Sequence, residues 1–226
     1  EARVKLYKQD WGGAKTAADL LINSGRYPLT TTQAELDNMW INDASQEVIM
    51  ESFASAPNEL PPTNSIYLGF NSGTGKYTPD FVPSQWVLDM FDDADYRKNT
   101  FFEPKEVEVQ GVTYPSIILV DKFPGNPALF TSNNTNYAHS PKVFRIAEMY
   151  LISAEAGANG AGGAAAPLNA LRNARNLPNI ASPTMDDIKD ERFRELAFEG
   201  YRLDDLKRWN EGFARRSPQN LDLINI

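Results

Sequence analysis

Apolar residues in the first part of the chain recur with the period of an α-helix. Val4, Leu6 and Tyr7 belong to one such pattern, and a second pattern covers residues 14–22. Together they predict two helices within residues 1–29, interrupted by the Asp-Trp-Gly-Gly segment at 10–13. Small side chains at Ala14, Ala17 and Ala18 would let the two helices pack closely.

A second helix pair is predicted at residues 142–158 and 164–176. Its first helix has a continuous apolar stripe, whereas Glu148 and Glu155 fall on a different face. The Trp, Gly and Ala pattern of the first pair is similar to a tetratricopeptide unit, which buries its apolar face by stacking on neighbours. The predicted fold class is therefore mainly α, with a tetratricopeptide-like helical repeat platform.

The middle of the chain, residues 31–141, has a different pattern. Pro, Gly and Asn are frequent there and helical periodicity is brief, which predicts a loop-rich irregular half with a few short strands. The patterns predict a strand at 47–53, a short helix at 84–91, and a hairpin formed by 107–114 and 117–120. Because ordered loops on a rigid scaffold concentrate binding residues, we expect the ligand on this side of the protein.

Composition excludes several classes of function. The 226 residues are 42% hydrophobic, which suffices for the core of one large domain or two small ones. A net charge of −8 disfavours nucleic acid and anionic membrane surfaces as partners, because both require clustered Lys and Arg. Neutral ligands are the better hypothesis.

The chain contains no cysteine and one histidine, His139. Disulfides and zinc–thiolate sites are therefore excluded. A single histidine also disfavours a Ser-His-Asp triad and makes a multi-histidine metal site impossible. We predict no cofactor and no metal. No apolar run approaches the ~20 residues that span a bilayer. Because the first residues already read as helix, with no leader before them, we expect the natural start to lie upstream.

Aromatic residues of the middle region are the strongest functional signal. The C–H face of a pyranose ring packs on aromatic rings, while its hydroxyls bind amides and carboxylates. Periodicity places Trp86 at the edge of the apolar face of its helix, so it either contacts ligand or covers the core. Tyr67, Phe70 and Tyr77 flank three glycines in a loop, and we expect one of the three to contact the ligand.

Polar partners for a sugar would come from the same region. Taken one at a time, each candidate is also explained by turn formation, because Asn and Asp side chains hydrogen-bond to the nearby backbone in turns. The candidates are Asn64, Asn71, Asp80, Asn133, Asn134 and Asn136.

Acidic residues after a predicted helix start at Thr184 raise the alternative of a glycosidase. Such an enzyme needs two carboxyl groups about 5–10 Å apart. Arginines and a lysine alternate with these acids, however, and would hold their pKa values low, which a general acid cannot use. A structural ion network is the favoured interpretation. The acids are Glu191, Glu195, Glu199, Asp204 and Asp205, and the bases are Arg192, Arg194, Arg202, Lys207 and Arg208.

Three segments together resemble the SusD/RagB family of surface glycan-binding lipoproteins. They are residues 145–156, 168–172 and 191–200, and the resemblance extends over most of the chain at 2–28, 83–97 and 144–209, the last block being the specific one. The resemblance implies binding without catalysis, a lipid anchor on a missing cysteine, and placement on the outer membrane facing outward. It also implies a SusC-like TonB-dependent transporter as the partner. Relatives more usually carry a polar residue at the position of Trp86, which favours a local role for this residue.

We therefore expect one SusD/RagB-like domain over 1–226 that lacks its N-terminal part. It would comprise a helix pair at 1–30, the ligand-side region at 31–141, and helical-repeat and ion-network helices at 142–216. The predicted function is capture of a neutral oligosaccharide or polysaccharide and its delivery to the transporter. The alternative is a RagB-like scaffold that binds peptide or protein, which a broad apolar concave patch on the helices would indicate.

Overall fold

Residues 1–52 and 65–214, together with Arg216 and Gln219, are described by a computed structural model of the chain. Contacts group the chain into two units. The helical unit comprises Glu1–Thr32, Gln46–Glu51 and Lys142–Ala214. The sheet unit comprises Gln33–Ser45, Ser52–Pro141 and Arg215–Ile226. The single-domain organisation stays a prediction.

The elements are given in chain order. They are α1 (Ala2–Tyr7), α2 (Trp11–Asn23), α3 (Gln33–Ile41), β1 (Val48–Glu51), β2 (Phe70–Asn71), β3 (Lys76–Tyr77), α4 (Gln85–Asp89), α5 (Tyr96–Phe101), β4 (Phe102–Val109), β5 (Val112–Val120), β6 (Lys142–Arg145), α6 (Ile146–Ala156), α7 (Ala165–Ala174), α8 (Met185–Glu195) and α9 (Arg202–Trp209).

The first helix pair forms as predicted, with a shorter interruption. Asp10 caps α2, because its Oδ1 accepts a hydrogen bond from the N–H of Gly13 at 3.0 Å. The helix therefore begins at Trp11, and the predicted break at 10–13 is mostly its first turn. Ala14 and Ala18 are fully buried in a cluster that includes Ala2 and Leu6 of α1 and residues of α6, whereas Ala17 is partly buried against it.

Helix α6 is the central element of the helical unit. All of its residues except Tyr150 are buried. One side packs against α1 and α2, and its other sides pack against α7 and α8 through Leu151, Leu171 and Ile188. A helix surrounded in this way needs apolar residues around most of its circumference, which its sequence supplies.

One prediction for the segment before α6 is wrong, and α6 itself buries two acidic side chains. Residues Lys142–Arg145 form β6, which pairs antiparallel with β1, instead of the first turn of a helix. Glu148 and Glu155, expected on a different face from the apolar stripe, are both buried. Each is neutralised from outside α6: Arg3 donates to Glu148 at 2.6 Å, and Nη2 of Arg208 donates to Glu155 at 2.7 Å. The helical period alone cannot identify such partners.

The sheet unit is more ordered than the sequence predicted. Strands lie in the order β2-β3-β4-β5, with β4 and β5 antiparallel and β3 parallel to β4 at Tyr77 and Val107. The predicted hairpin exists, but its strands are longer and turn at Gln110 and Gly111, both with positive φ. Helix α3 was not predicted, because only Leu36, Met39 and Trp40 on it are buried.

The core of the sheet unit holds a buried lysine among aromatic rings. Lys122 is fully buried, with Nζ lying 4.0 Å from the ring centroid of Phe101 and 4.3 Å from that of Trp40. A cation placed over ring faces is stabilised by their quadrupoles. The cage ties α3 and α5 to the end of β5, next to the sheet that carries the candidate ligand residues.

Candidate ligand-binding site

The candidate aromatic residues 67, 70 and 77 lie on one irregular hairpin, residues 66–81, which we call the aromatic hairpin. Strands β2 and β3 form its centre, with Phe70 opposite Tyr77 and Asn71 opposite Lys76. Beyond the strands, the N–H of Thr78 donates to the carbonyl of Gly69 at 3.0 Å. At the open end, the N–H groups of Asp80 and Phe81 both donate to the carbonyl of Ile66, at 2.9 and 3.2 Å. The loop expected here is therefore a hydrogen-bonded structure.

Gly69 permits this close approach of the two arms. It has φ +59°, and a Cβ at this position would lie 2.4 Å from the carbonyl oxygen of Thr78. No other residue fits at this position without strain, because both the positive φ and the lack of space disfavour a Cβ. Glycine in the sequence indicates a flexible loop, but Gly69 instead permits a fixed close contact between the two arms.

Phe70 and Tyr77 are brought together as a ring pair. Their centroids are 5.1 Å apart with planes tilted by 57°. Both rings are half-buried and pack against the cluster that contains Leu68 and Val107. The ammonium of Lys105 lies 5.4 Å from the Tyr77 centroid. The pair is therefore anchored to the sheet on one side and keeps part of its surface in solvent.

An exposed apolar surface at the open end of the hairpin was missed by sequence reasoning. Phe81 is 63% exposed, and Ile66 and Val82 are 43% and 39% exposed. Tyr67, beside Ile66, is half-buried, and this burial raises the pKa of its hydroxyl. Part of this could have been recognised in the sequence. Pro79 and Pro83 flank Phe81 and Val82, and proline excludes such a segment from an inner strand.

Trp86 lies five residues after Phe81, on α4. Ser84 caps this short helix, and Leu88 is its buried anchor. The Trp86 ring is half-buried, and the guanidinium carbon of Arg216 lies 4.5 Å from its centroid. Its burial is therefore intermediate between the two sequence alternatives, a core residue and an open platform.

The candidate polar residues divide between turn formation and open surface. Asn71 accepts a hydrogen bond from the N–H of Gly73 at 2.9 Å, and Asn136 accepts one from Ala138 at 3.0 Å, so both stabilise their own turns. Asp80, Asn133 and Asn134 have exposed side chains. Asn64 lies outside the described residues.

A carboxyl pair lies beside Lys105, at the start of β4 and the end of β5. Lys105 contacts Glu103 and lies 3.6 Å from Asp121. Burial raises the pKa of Asp121 to about 7, and its hydrogen bond to Glu103 acts in the same direction. Because the two carboxyl groups are hydrogen-bonded to each other, they lack the separation by which glycosidase carboxyls flank a bond.

The acids of the C-terminal helices engage arginines inside the helical unit. Arg145 donates to Glu195 at 2.7 Å and to Glu199 at 2.6 Å, and these carboxylates with Glu47 hold the pKa of the buried Arg145 well above its usual value. Arg192 donates to Asp205 at 2.7 Å. The acids do form an ion network, as the alternating charges indicated, but the partner of Glu195 and Glu199 is Arg145, which lies outside the alternating bases. Among the described residues, no group of three or more acidic or histidine side chains is placed to hold a metal.

A separate cleft of about 790 Å³ opens in the helical unit. Its apolar lining includes Ala2, Ala17, Leu21, Phe144 and Met149, and Leu20 at its edge is 74% exposed. Charged residues at the rim are paired within the unit, as Glu1 is with Lys5 at 2.8 Å. The cleft is therefore suited to an apolar surface more than to a polar ligand.

Known proteins resemble this chain over most of its length. A profile of the SusD family matches residues 109–221, which is half of the chain. SusD-like protein P38 of Formosa agariphila is 27% identical over 266 residues, covering 97% of this chain and 52% of that protein.

Solved structures give the same result. A SusD superfamily protein from Bacteroides vulgatus is 27% identical with a TM-score of 0.73, covering 98% of this chain and 50% of that one. A SusD-like carbohydrate binding protein from the same species is 25% identical with a TM-score of 0.69, covering 93% and 44%. The likeness confirms the predicted fold class, mainly α with a tetratricopeptide-like platform. The chain spans about half the length of these relatives.

Proposed function

Because this chain belongs to the SusD family, we propose that it binds a neutral oligosaccharide or polysaccharide on the cell surface without cleaving it. The observation that carries the proposal is the exposed surface of Phe81, Ile66 and Val82 at the end of the aromatic hairpin. A phenylalanine that is 63% exposed contributes little to folding and offers its ring to a ligand. The aromatic hairpin fixes the position of this ring through two backbone hydrogen bonds to Ile66.

The chemistry of this surface suits a sugar. The pyranose C–H face would pack on Phe81, with the carboxylate of Asp80 next to it as a hydrogen-bond acceptor for hydroxyl groups. Tyr67, the Phe70–Tyr77 pair and Trp86 would extend the surface along the hairpin and α4, while Asn71 holds the turn. The net charge of −8 favours a neutral glycan over an acidic one.

Absence of catalysis belongs to the same proposal. A glycosidase needs one carboxylic acid with a raised pKa and a second carboxylate at a distance from it. Asp121 has the raised pKa, yet it bonds directly to Glu103 and Lys105 lies against both. Glu195 and Glu199 are paired with Arg145 in the interior. These arrangements support binding rather than turnover.

Cell location and transport partner follow from the family alone. We propose that the protein is held at the outer membrane by a lipid anchor and passes its glycan to a SusC-like TonB-dependent transporter. Among the described residues, no helix has the length and hydrophobicity to cross a bilayer.

The test is a screen of the 226-residue chain against neutral polysaccharides, namely laminarin, starch, xylan and galactomannan, by affinity gel electrophoresis. Hits are quantified by calorimetry and their products analysed by chromatography. Phe81→Ala is expected to weaken binding about tenfold or more, equivalent to ~1.4 kcal/mol. Phe213→Ala is the matched control, because Phe213 is 79% exposed in the helical unit. Release of shorter sugars, or equal losses in both variants, would contradict the proposal.

Peptide capture is the second candidate, and the apolar cleft of the helical unit favours it. An amphipathic peptide would place its apolar face on Ala17, Leu21 and Met149. A peptide array read alongside the glycan screen separates the two functions. Leu20→Asp should abolish peptide binding and leave glycan binding intact, because Leu20 borders the cleft and lies in the other unit from Phe81.

A further inference from the structure

Tyr137 has an unusual backbone conformation in the sheet unit. It lies between β5 and β6, is only 6% exposed, and has φ +58°. Left-handed backbone is uncommon for any residue other than glycine and is an outlier for a bulky side chain. Such strain persists only where the surroundings hold it, and it concentrates at sites of function.

The surrounding loop is built to hold this conformation. The N–H of Tyr137 donates to Oγ1 of Thr135 at 3.0 Å, and that hydroxyl donates to the carbonyl of Pro124 at 2.7 Å. The N–H of Asn126 donates to the carbonyl of Ala138 at 2.7 Å. Gly125 lies so close that a Cβ there would be 2.8 Å from the Tyr137 Cα. A glycine is required beside the tyrosine for this reason.

The hydroxyl of Tyr137 reaches the aromatic hairpin. The backbone N–H of Phe70 donates to this hydroxyl oxygen. Phe70 begins β2, which is two residues long and forms the edge of the sheet. With so few ladder bonds available, a single side-chain hydrogen bond is a large part of what fixes the strand. The Tyr137 ring packs in the cluster with Leu68 and Val107, which anchors the hydroxyl itself.

We propose that Tyr137 is a positioning residue for the ligand: its buried hydroxyl fixes the Phe70 backbone, and thereby the Phe70–Tyr77 ring pair on the hairpin that carries Phe81. This inference rests on the proposed glycan function. Tyr137 is buried and reaches ligand only through the hairpin. The strained loop then serves to bring one hydroxyl to one backbone N–H.

The variant Tyr137→Phe tests this, because it removes the hydroxyl and keeps the ring. Tyr114→Phe is the matched control, since Tyr114 packs against the same cluster. The first readout needs no ligand: the hydrogen-exchange rate of the Phe70 amide, measured by NMR. We expect it to rise about three- to tenfold in Tyr137→Phe, as for one lost hydrogen bond, and to stay unchanged in Tyr114→Phe. Exchange at Leu119 in β5 should not change in either.

The second readout is affinity for the glycan identified by the screen. Tyr137→Phe should weaken it by about three- to tenfold, while the affinity of Tyr114→Phe stays at the wild-type value. An unchanged Phe70 amide would overturn the proposal at its structural step. Faster exchange with unchanged affinity would overturn the positioning role. If the wild type binds no glycan, the proposed function fails and the positioning role fails with it, whereas the exchange result still reports whether the hydroxyl fixes the strand.

Discussion

Arg175 and Glu195 face each other in a bidentate pair inside the helical unit, where neither side chain is more than 1% exposed. Nε of Arg175 donates to one carboxylate oxygen at 3.0 Å and Nη2 donates to the other at 2.9 Å. Glu47 accepts from Arg145 as well as from Arg175, which joins β1, β6, α7 and α8 in one network. Such a network is sensitive to removal of one member, because the remaining charges stay buried.

Replacing Glu195 by Gln should therefore destabilise the protein strongly. It leaves Arg145 and Arg175 with less negative charge in the interior, and the expected loss in the free energy of unfolding is about 3–5 kcal/mol. Urea titration measures it. Glu211→Gln is the matched control, since Glu211 is 38% exposed in its pair with Lys189, and its loss should be below about 1 kcal/mol. Similar losses in the two variants would show that the buried network has no special role.

Gly69→Ala should disrupt the aromatic hairpin. The added Cβ would collide with the carbonyl of Thr78, so the two arms must separate. We expect glycan binding to fall about tenfold or more, with a small change in Tm because the strands involved are short. Gly212→Ala is the control, since a Cβ there meets nothing within 4 Å. Unchanged glycan binding by Gly69→Ala would show that the aromatic hairpin is not part of the ligand site.

Trp86 can be placed by its fluorescence. If the glycan lies along the hairpin and α4, binding should change the tryptophan emission, and Trp86→Phe should remove this change while retaining most of the affinity. Of the other three tryptophans, Trp40 is buried, and Trp11 and Trp209 lie in the helical unit, so none of them should report the ligand. Trp11→Phe is the control. If the change in emission persists in Trp86→Phe, Trp86 is not part of the ligand site.

Asp121 should make stability depend on pH. Burial raises its folded pKa to about 7, above the ordinary 3.8, so between these values the folded state holds a proton that the unfolded state has released. Its contribution to stability therefore falls as pH rises from about 4 to about 7, at about 1.4 kcal/mol per pH unit.

Asp121→Asn removes this dependence. Its unfolding free energy should exceed that of the wild type by an amount that grows with pH, reaching on the order of 2–4 kcal/mol at pH 8. Urea titrations at pH 5 and pH 8 measure the difference, with the exposed Asp80→Asn as control. A difference that is constant with pH would mean that Asp121 is ionised normally in the folded protein.

Local patterns predicted the helical unit better than the sheet unit. Thr184, expected as a helix cap, does accept the N–H of Asp187, whose carboxylate accepts the N–H of Thr184 in return. Apolar periodicity likewise located α2 and α6. These features depend on residues within a few positions of each other, which a sequence displays directly.

Features that depend on distant residues could not be predicted in the same way. Glu148 is neutralised by Arg3 from 145 positions away, and no local pattern connects them. In the candidate site, the two arms that pair Phe70 with Tyr77 approach each other closely at Gly69, whose glycine suggested only flexibility. Pro79 and Pro83 exclude the Phe81 segment from an inner strand, but the exposure of Phe81 itself depends on whether distant residues pack against it, which the sequence does not display.

The order of segments along the chain has a consequence for folding. The helical unit takes its first helices from residues 1–32 and its central helix from Lys142–Ala214, and most of the sheet unit lies between them in sequence. A growing chain therefore makes α1 and α2 long before α6, on which they pack. Closure of such a long intervening segment costs entropy and slows folding. A nascent chain that ends at Pro141 would thus present two amphipathic helices without their core, and a chaperone or a neighbouring chain could bind them.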